Sequence, residues 1–230
     1  MKSIFKFLAL LLLSHSAIAQ SGSIFAEINY NTFSHKNLQS FQQEFVQDIP
    51  QVDLRVNDNF PAHVGFTVGY KINAINTSIF ASYNSTGGKI SYSDFSGVIR
   101  LTQPLNGYTL GGIYHLSLLR NDRNNALSLS LKGFGTYSTL DIKSYNETLG
   151  VVTEEEIGVH SIDYGVGVGL IYEYPISVVR LRASIGFDAV LGNKLTLNDN
   201  KDFFIEDNGG SAVKTGWSGL RTGIGIAIPI

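Results

Sequence analysis

The sequence predicts an all-β fold: eight antiparallel strands in a meander, closed into a transmembrane β-barrel with an occluded lumen. Three observations carry that expectation. The N-terminus reads as an export segment, apolar and polar residues alternate with period two along most of the chain, and the connections alternate between short and long.

The export segment comes first. Lys2 and Lys6 supply positive charge, Phe7 to Leu13 form a short apolar run, and Ala17-Ile18-Ala19 precede Gln20 as a small-x-small cleavage pattern. Residues 1–19 are therefore expected to be a signal peptide and 20–230 the barrel domain. The apolar run is far shorter than the roughly 20 residues a spanning helix needs, and no longer one follows. Without Lys2 and Lys6 the acidic residues outnumber the basic ones, so the basic footprint of a nucleic-acid binder is missing. The chain has no cysteine, which excludes a lipidated cleavage site, disulfides and thiolate metal sites. Only 16% of its residues are charged, low for a soluble protein, where about a quarter is usual.

Alternation carries the strands, because successive side chains in an extended strand point to opposite faces. Ile24, Ala26, Ile28 and Tyr30 alternate with Phe25, Glu27 and Asn29; Val64, Phe66, Val68, Tyr70 and Ile72 with His63, Gly65, Thr67 and Lys71. A third strand over Thr77 to Tyr92 is less regular, since Ile79 and Phe80 compete for one face. Tyr108, Leu110, Tyr114, Leu116 and Leu118 mark the fourth, and Leu127, Leu129 and Leu131 the fifth. The sixth sets Ile162, Tyr164, Val166, Val168, Leu170 and Tyr172 against Asp163, Gly165, Gly167 and Gly169. The seventh sets Leu181, Ala183, Ile185 and Phe187 against Arg180, Arg182, Ser184 and Asp188, and the eighth Leu220, Ile224, Ile226 and Ile228 against Arg221, Gly223 and Gly225. Gln51 to Val56 is a candidate extra strand, which leaves ten as the alternative count.

Short turns are expected at Asn73–Asn76, Asn121–Asn125 and Pro175–Ser177. Long loops are expected at Ser34–Phe60, Asp94–Pro104, Tyr145–Glu156 and Asn198–Val213. Short periplasmic turns and longer external loops are the asymmetry of outer-membrane barrels. The polar face is rich in Gly, Ser and isolated charges, which suits a lumen barely wide enough for side chains, so the apolar face is expected to meet lipid. A soluble lipocalin-like periplasmic binding protein, with the apolar face inward, is the alternative. Aromatic girdles are expected from Tyr30, Phe33, Phe60, Tyr92, Phe95, Tyr108, Tyr137 and Phe187 at the outer rim and Tyr70, Tyr172 and Tyr174 at the inner one.

A lumen so lined would gather Glu27, Asp163, Asp188 and Glu173 with Lys71, Lys132, Arg180, Arg182 and Arg221, beside His63 and His115. Buried charges persist only when paired, so an ion-pair network plugging the barrel is expected, with a gated ion path as the other reading. In the first long loop Leu38, Phe41, Phe45 and Ile49 recur at helical spacing before Pro50. This segment is expected to be an amphipathic helix that caps the mouth, lies at the membrane interface or docks a partner. The acidic stretches Glu154–Glu156 and Asp199 to Asp207 read as solvated loop tips. Five dispersed histidines offer no metal spacing, and Gly165-Val166-Gly167-Val168-Gly169 lacks the helix of a nucleotide loop. No cofactor is expected. The triplets at Asn76, Asn84 and Asn146 read as chance glycosylation matches.

The signal segment, the amphipathic strands and the terminal Gly223-Ile224-Gly225-Ile226-Ala227-Ile228-Pro229-Ile230 resemble the small outer-membrane barrels of the OmpA transmembrane-domain and OmpX kind, and the barrel-domain proteins common in Bacteroidetes. The end in Pro229-Ile230 departs from the terminal aromatic residue of many such barrels. The resemblance implies an outer-membrane location, contact with lipid and lipopolysaccharide, insertion by the barrel assembly machinery, and a non-catalytic structural or interaction role with an envelope partner. A narrow transport pore is the second expectation. A lipid A-modifying enzyme is the third: His160-Ser161 superficially matches the histidine and serine of outer-membrane deacylases. Adjacent strand residues point apart, however, and cannot meet as base and nucleophile.

Overall fold

The structure, a computed structural model, describes residues 22–95, 97–120, 125–200 and 202–230. The expected signal peptide lies outside the described residues, as does most of the expected turn at Asn121–Asn125. In chain order the elements are β1 (Gly22–Ser34), α1 (Lys36–Asp48), β2 (Arg55–Asn59), β3 (His63–Ile72), a single 3-10 turn (Asn73–Ile75), β4 (Thr77–Ser93), β5 (Gly97–Arg120), β6 (Ala126–Thr148), β7 (Val151–Ile176), β8 (Val179–Leu191), β9 (Thr196–Leu197) and β10 (Ser218–Pro229).

Eight of these strands close a ring in the order β1-β3-β4-β5-β6-β7-β8-β10, all neighbours antiparallel, and β10 returns to β1 from Ser23↔Pro229 to Ser34↔Ser218. Closure satisfies the backbone between strands, the condition for sheet to exist in lipid. The candidate strand at Gln51–Val56 lies further along the chain, as β2. It pairs with the upper part of β4, Arg55 opposite Ser91, and does not join the ring. Two-residue β9 likewise lies against β7.

Burial alternates as the sequence pattern requires, with the apolar set outside. Ile24, Ile28, Phe66, Val68, Val166 and Ile224 are each more than half exposed, while Glu27, Asn29, Asn31, Thr67 and Arg182 are buried. In water such a face would forfeit about 25 cal/mol for every Å² of apolar surface left exposed, so this band is lipid-facing. Tyr83, Tyr108 and Tyr137 stand in register across β4, β5 and β6 and mark its upper edge with Tyr30, Tyr164 and Phe187. Tyr114, Tyr172 and Tyr174 lie toward the lower edge, with Tyr70. Four expected girdle residues belong elsewhere. Phe33 and Phe60 are buried inside the mouth, Tyr92 faces the interior of the sheet above the band, and Phe95 sits in the tight connection between β4 and β5. Height along the chain puts all four near the outer rim, but in/out parity and the folding of the connections over the mouth take them off the lipid face.

Two expected loops are strand instead. Asp94–Pro104 shrinks to 94–96, because β5 begins at Gly97, and Tyr145–Glu156 shrinks to Leu149-Gly150. Both of these turn residues have positive φ, 50° and 82°, as a two-residue primed hairpin requires. Strands β5, β6 and β7 are therefore 24, 23 and 26 residues long, against the roughly 9–11 that cross a membrane. From Tyr108 up to Gly97 the sheet rises about 35 Å along the strand beyond the aromatic edge. Polarity misled the sequence reading here: an outward face of Arg100, Thr102, Lys143 and Glu154 looks like loop but is strand above the lipid. The first and last outer connections, 35–62 with α1 and β2 and 192–217 with β9, are otherwise irregular and fold over the mouth.

Candidate functional site

Outer-membrane barrels turn their short connections to the periplasm and their extensions outward, and the two ends are called periplasmic and external on that rule. From the periplasmic end upward, the lumen is filled in layers. Arg182 on β8 is the centre of the first. Its Nε bonds the Glu27 carboxylate on β1, its guanidinium also reaches Glu173 Oε1 on β7 at 2.6 Å, and it lies 4.2 Å over the Phe25 ring. Glu173 Oε2 is shared by Arg180 at 3.5 Å and Lys71 at 3.9 Å. Glu27 further accepts from Ser184 and Asn29. The second group gathers on Asp188, which takes Lys132 Nζ and Arg221 Nε at 3.0 Å each. Gly167 makes this group fit: a Cβ there would lie 2.3 Å from the Asp188 carboxylate. Gly69 makes the corresponding room for the Phe25 ring.

Eight of the nine charged residues expected in the lumen are thus drawn into ion pairs, in two groups, and Glu173 is the hub that joins three cations. The ninth, Asp163, stands apart. It is fully buried nearer the mouth and, among the described residues, accepts from neutral donors alone: Thr215 Oγ1 at 2.7 Å, Asn193 N at 2.7 Å, Ser161 at 3.1 Å and Ser138 at 3.2 Å. The reason is height, since ten residues of β7 separate it from Glu173. His115 bonds Ser78 at 2.7 Å. The space left among Glu27, Lys132, Arg182 and Arg221 is about 30 Å³, room for a water or two and far below a pore.

Above Asp163 lies an apolar plug of Phe33, Leu38, Phe60, Leu105, Leu140, Val159, Leu195, Val213 and Trp217. Trp217 donates to Ser138 Oγ at 2.8 Å and packs edge-on against His35, Phe33 and His63. This plug was missed from sequence. Its available signal was Leu105 and Leu140, apolar residues at inward parity where the lumen should be polar. The loop helix α1 closes over it: Leu38 is buried in the plug, Phe41 packs beside it, and Phe45 and Ile49 pack with Leu54, Ile90 and Leu101 on the inner side of the tall sheet. Of the three expectations for this helix, capping describes its placement. Its apolar stripe is spent on the fold, because the tall sheet supplies an apolar inner face for it to cover.

Burial pushes the His35 imidazole down to about 4, against the opposing bond between its Nδ1 and Thr215 O at 2.5 Å, and with nearby His63 adding to the depression. The fold therefore prefers neutral His35. Its contribution is complete above the unfolded value near 6.5 and is lost as pH falls toward 4, a change of up to about 3 kcal/mol. Proteolysis of the 35–62 connection is expected to accelerate between pH 7 and pH 4.5, and His35→Asn, which keeps a donor toward Thr215, is expected to flatten that dependence. Equal slopes for both proteins would refute the assignment.

His160 and Ser161 do not meet: Ser161 is buried on Asp163, whereas His160 bonds Asn198 at 2.8 Å beside the lid. Among the described residues no cluster of three metal-ligating side chains exists. A closed ring with an apolar exterior, aromatic edges and an ion-paired interior is the construction of bacterial outer-membrane proteins. This chain is a small outer-membrane β-barrel.

No protein-family model matches the barrel, and no curated protein matches it in sequence. Solved structures similar to it include the attachment invasion locus protein Ail of Yersinia pestis, in complex with the heparin analogue sucrose octasulfate. Ail is 15% identical with a TM-score of 0.40, over 91% of this chain and 98% of that one. A major outer membrane protein from Thermus thermophilus is 8% identical with a TM-score of 0.46, over 91% and 99%. Neisserial surface protein A is 12% identical with a TM-score of 0.31, over 90% and 96%. At such identities no residue role passes from one chain to the other.

Proposed function

We propose that the barrel is a non-conducting, non-catalytic anchor that holds a rigid interaction sheet above the outer membrane. The observation that carries this reading is the free edge of β7. Below, β7 is flanked by β8 from Tyr164 onward, and β9 and Asn198 cover His160, Val159 and Gly158. From Val151 to Ile157, among the described residues, β7 pairs only with β6. An unpaired edge is a template for strand addition. This one is exposed throughout and carries Glu154, Glu155 and Glu156 among Val151, Val152 and Ile157, so its complement is an extended segment with basic side chains. Around Arg100, Lys143, Tyr145 and Glu154 the outer face of the same sheet holds a cleft of about 490 Å³. The two filled layers of the lumen support the absence of conduction.

The test is binding of an extended peptide of alternating lysine and valine to the detergent-solubilised barrel. Salt-sensitive binding is expected, weakened by about tenfold or more in Val152→Pro, which removes an N–H directed to the open edge, and in the triple change of Glu154, Glu155 and Glu156 to Gln. Binding that ignores both changes would overturn the reading.

A further inference from the structure

The Asp188 group sets two cations against one carboxylate. Lys132 Nζ and Arg221 Nε each meet Asp188 at 3.0 Å, and among the described residues neither makes a second ion pair. The other carboxylates nearby are engaged elsewhere. Arg182 answers Glu27 and Glu173, and Asp163 accepts from neutral donors alone among the described residues. The group stands well inside the wall: Lys132, Gly167 and Asp188 lie in register across β6, β7 and β8. That level is six residues, about 20 Å, above the start of β6. With side chains 13% and 10% exposed, Lys132 and Arg221 are shielded from bulk water, where a charge without its counter-charge is costly.

Both cations border the space of about 30 Å³ within the lumen, together with Arg182, Glu27, Ser130 and Ser184. Donors are in excess around it. Lys132 spends one of its three N–H groups on Asp188, and Arg221 one of its five. Arg182 uses Nε and one terminal nitrogen. Ser130 is buried and makes no hydrogen bond to another described residue. Glu27, the one carboxylate that borders the space, already accepts from Arg182, Ser184 and Asn29.

We propose that this space is a halide site: one chloride ion sits among Lys132, Arg221 and Arg182 and supplies the charge that Asp188 leaves uncovered. Volume decides the class of ligand. A water needs about 10–15 Å³ of such space, so the cavity takes a monatomic anion and excludes phosphate and carboxylic acids. Ammonium and guanidinium N–H groups hold an anion through charge-assisted hydrogen bonds, and the Ser130 hydroxyl adds a neutral donor. Water alone fills the volume but not the charge. The site is separate from the external sheet, and either stands without the other.

The experiment is urea unfolding of the barrel in lipid vesicles, with sodium chloride exchanged for sodium gluconate at constant ionic strength and heat-dependent gel mobility confirming the fold of each variant. The unfolding equilibrium constant is expected to fall saturably with chloride, about tenfold when the ion stands at ten times its dissociation constant. Bromide should substitute for chloride, and crystals grown in bromide should show an anomalous peak between Lys132 and Arg221. In Lys132→Gln the chloride response is expected to vanish, because Asp188 and Arg221 then balance one to one. Lys89→Gln, a cation removed from the outer face of the tall sheet, should respond as the parent does. Equal stability of the parent in chloride and gluconate, bromide crystals without a peak in the lumen, or a full response in folded Lys132→Gln would each overturn the proposal. The first two readouts use the parent protein and stand whether or not Lys132→Gln folds.

Discussion

Arg182→Met is expected to destabilise the barrel by about 3–5 kcal/mol, the cost of removing one partner from a buried ion pair. The side chain is almost fully buried and, among the described residues, is the one cation that touches both Glu27 and Glu173. Without it Glu27 keeps only Ser184 and Asn29, and Glu173 falls back on its two long contacts. The apolar contact with Phe25 survives in methionine, so the loss isolates the charge. Arg182→Lys should fall between, because an ammonium cannot span both carboxylates in the fixed planar geometry of a guanidinium. Adding Glu27→Gln to Arg182→Met should recover part of the loss by removing the stranded charge. The readout is urea unfolding in lipid vesicles followed by Trp217, the single tryptophan of the chain. A penalty below about 1 kcal/mol, or no recovery in the double variant, would show that these charges are solvated in the lumen.

The sequence made the ring legible where two different solvents meet the two faces of a strand. Ile24 to Tyr30, Ile162 to Tyr172 and Leu220 to Ile228 are read correctly because lipid lies on one side and a narrow polar lumen on the other. Above the membrane that contrast vanishes. Lys89, Arg100, Lys143 and Glu154 face water, Leu101 and Ile142 face a helix, and the result resembled loop. The lumen charges were legible as a set because parity alone puts them inside. Their pairing was not, since it depends on strand stagger, which places Glu173 beside Lys71 and lifts Asp163 clear of every cation in the network. The plug was hidden for a related reason. Trp217 and His35 lie in irregular segments where no period assigns a face, and only the fold of 35–62 and 192–217 over the mouth brings them to Leu105 and Leu140.

Trp217→Ala should open the upper layer without opening the barrel. The indole is buried, meets Phe33, His35 and His63, and lies so close to β5 that a Cβ on Gly107 would sit 2.7 Å from it. Its truncation leaves a cavity that a ring of strands cannot collapse to fill, a cost of about 3–5 kcal/mol. Trp217→Phe keeps most of the packing and loses the bond to Ser138, a cost of about 1 kcal/mol. The functional consequence follows from the order of the layers. Below the plug, Arg182, Glu27, Glu173, Lys132, Arg221 and Asp188 still span the lumen, so Trp217→Ala in planar bilayers is expected to remain non-conducting while its 35–62 connection becomes readily cleaved by protease. Arg182→Met alone is expected to stay closed for the complementary reason, with the plug intact above it. Ion conductance should emerge only when both changes are combined, in steps far smaller than those of water-filled barrels of about 16–18 strands. Conductance in either single variant would mean that one layer alone seals the barrel, and persistent silence in the double variant would place the seal in what neither change removes, the Lys132–Asp188–Arg221 group and the apolar cluster of Phe25, Phe80 and Ile113.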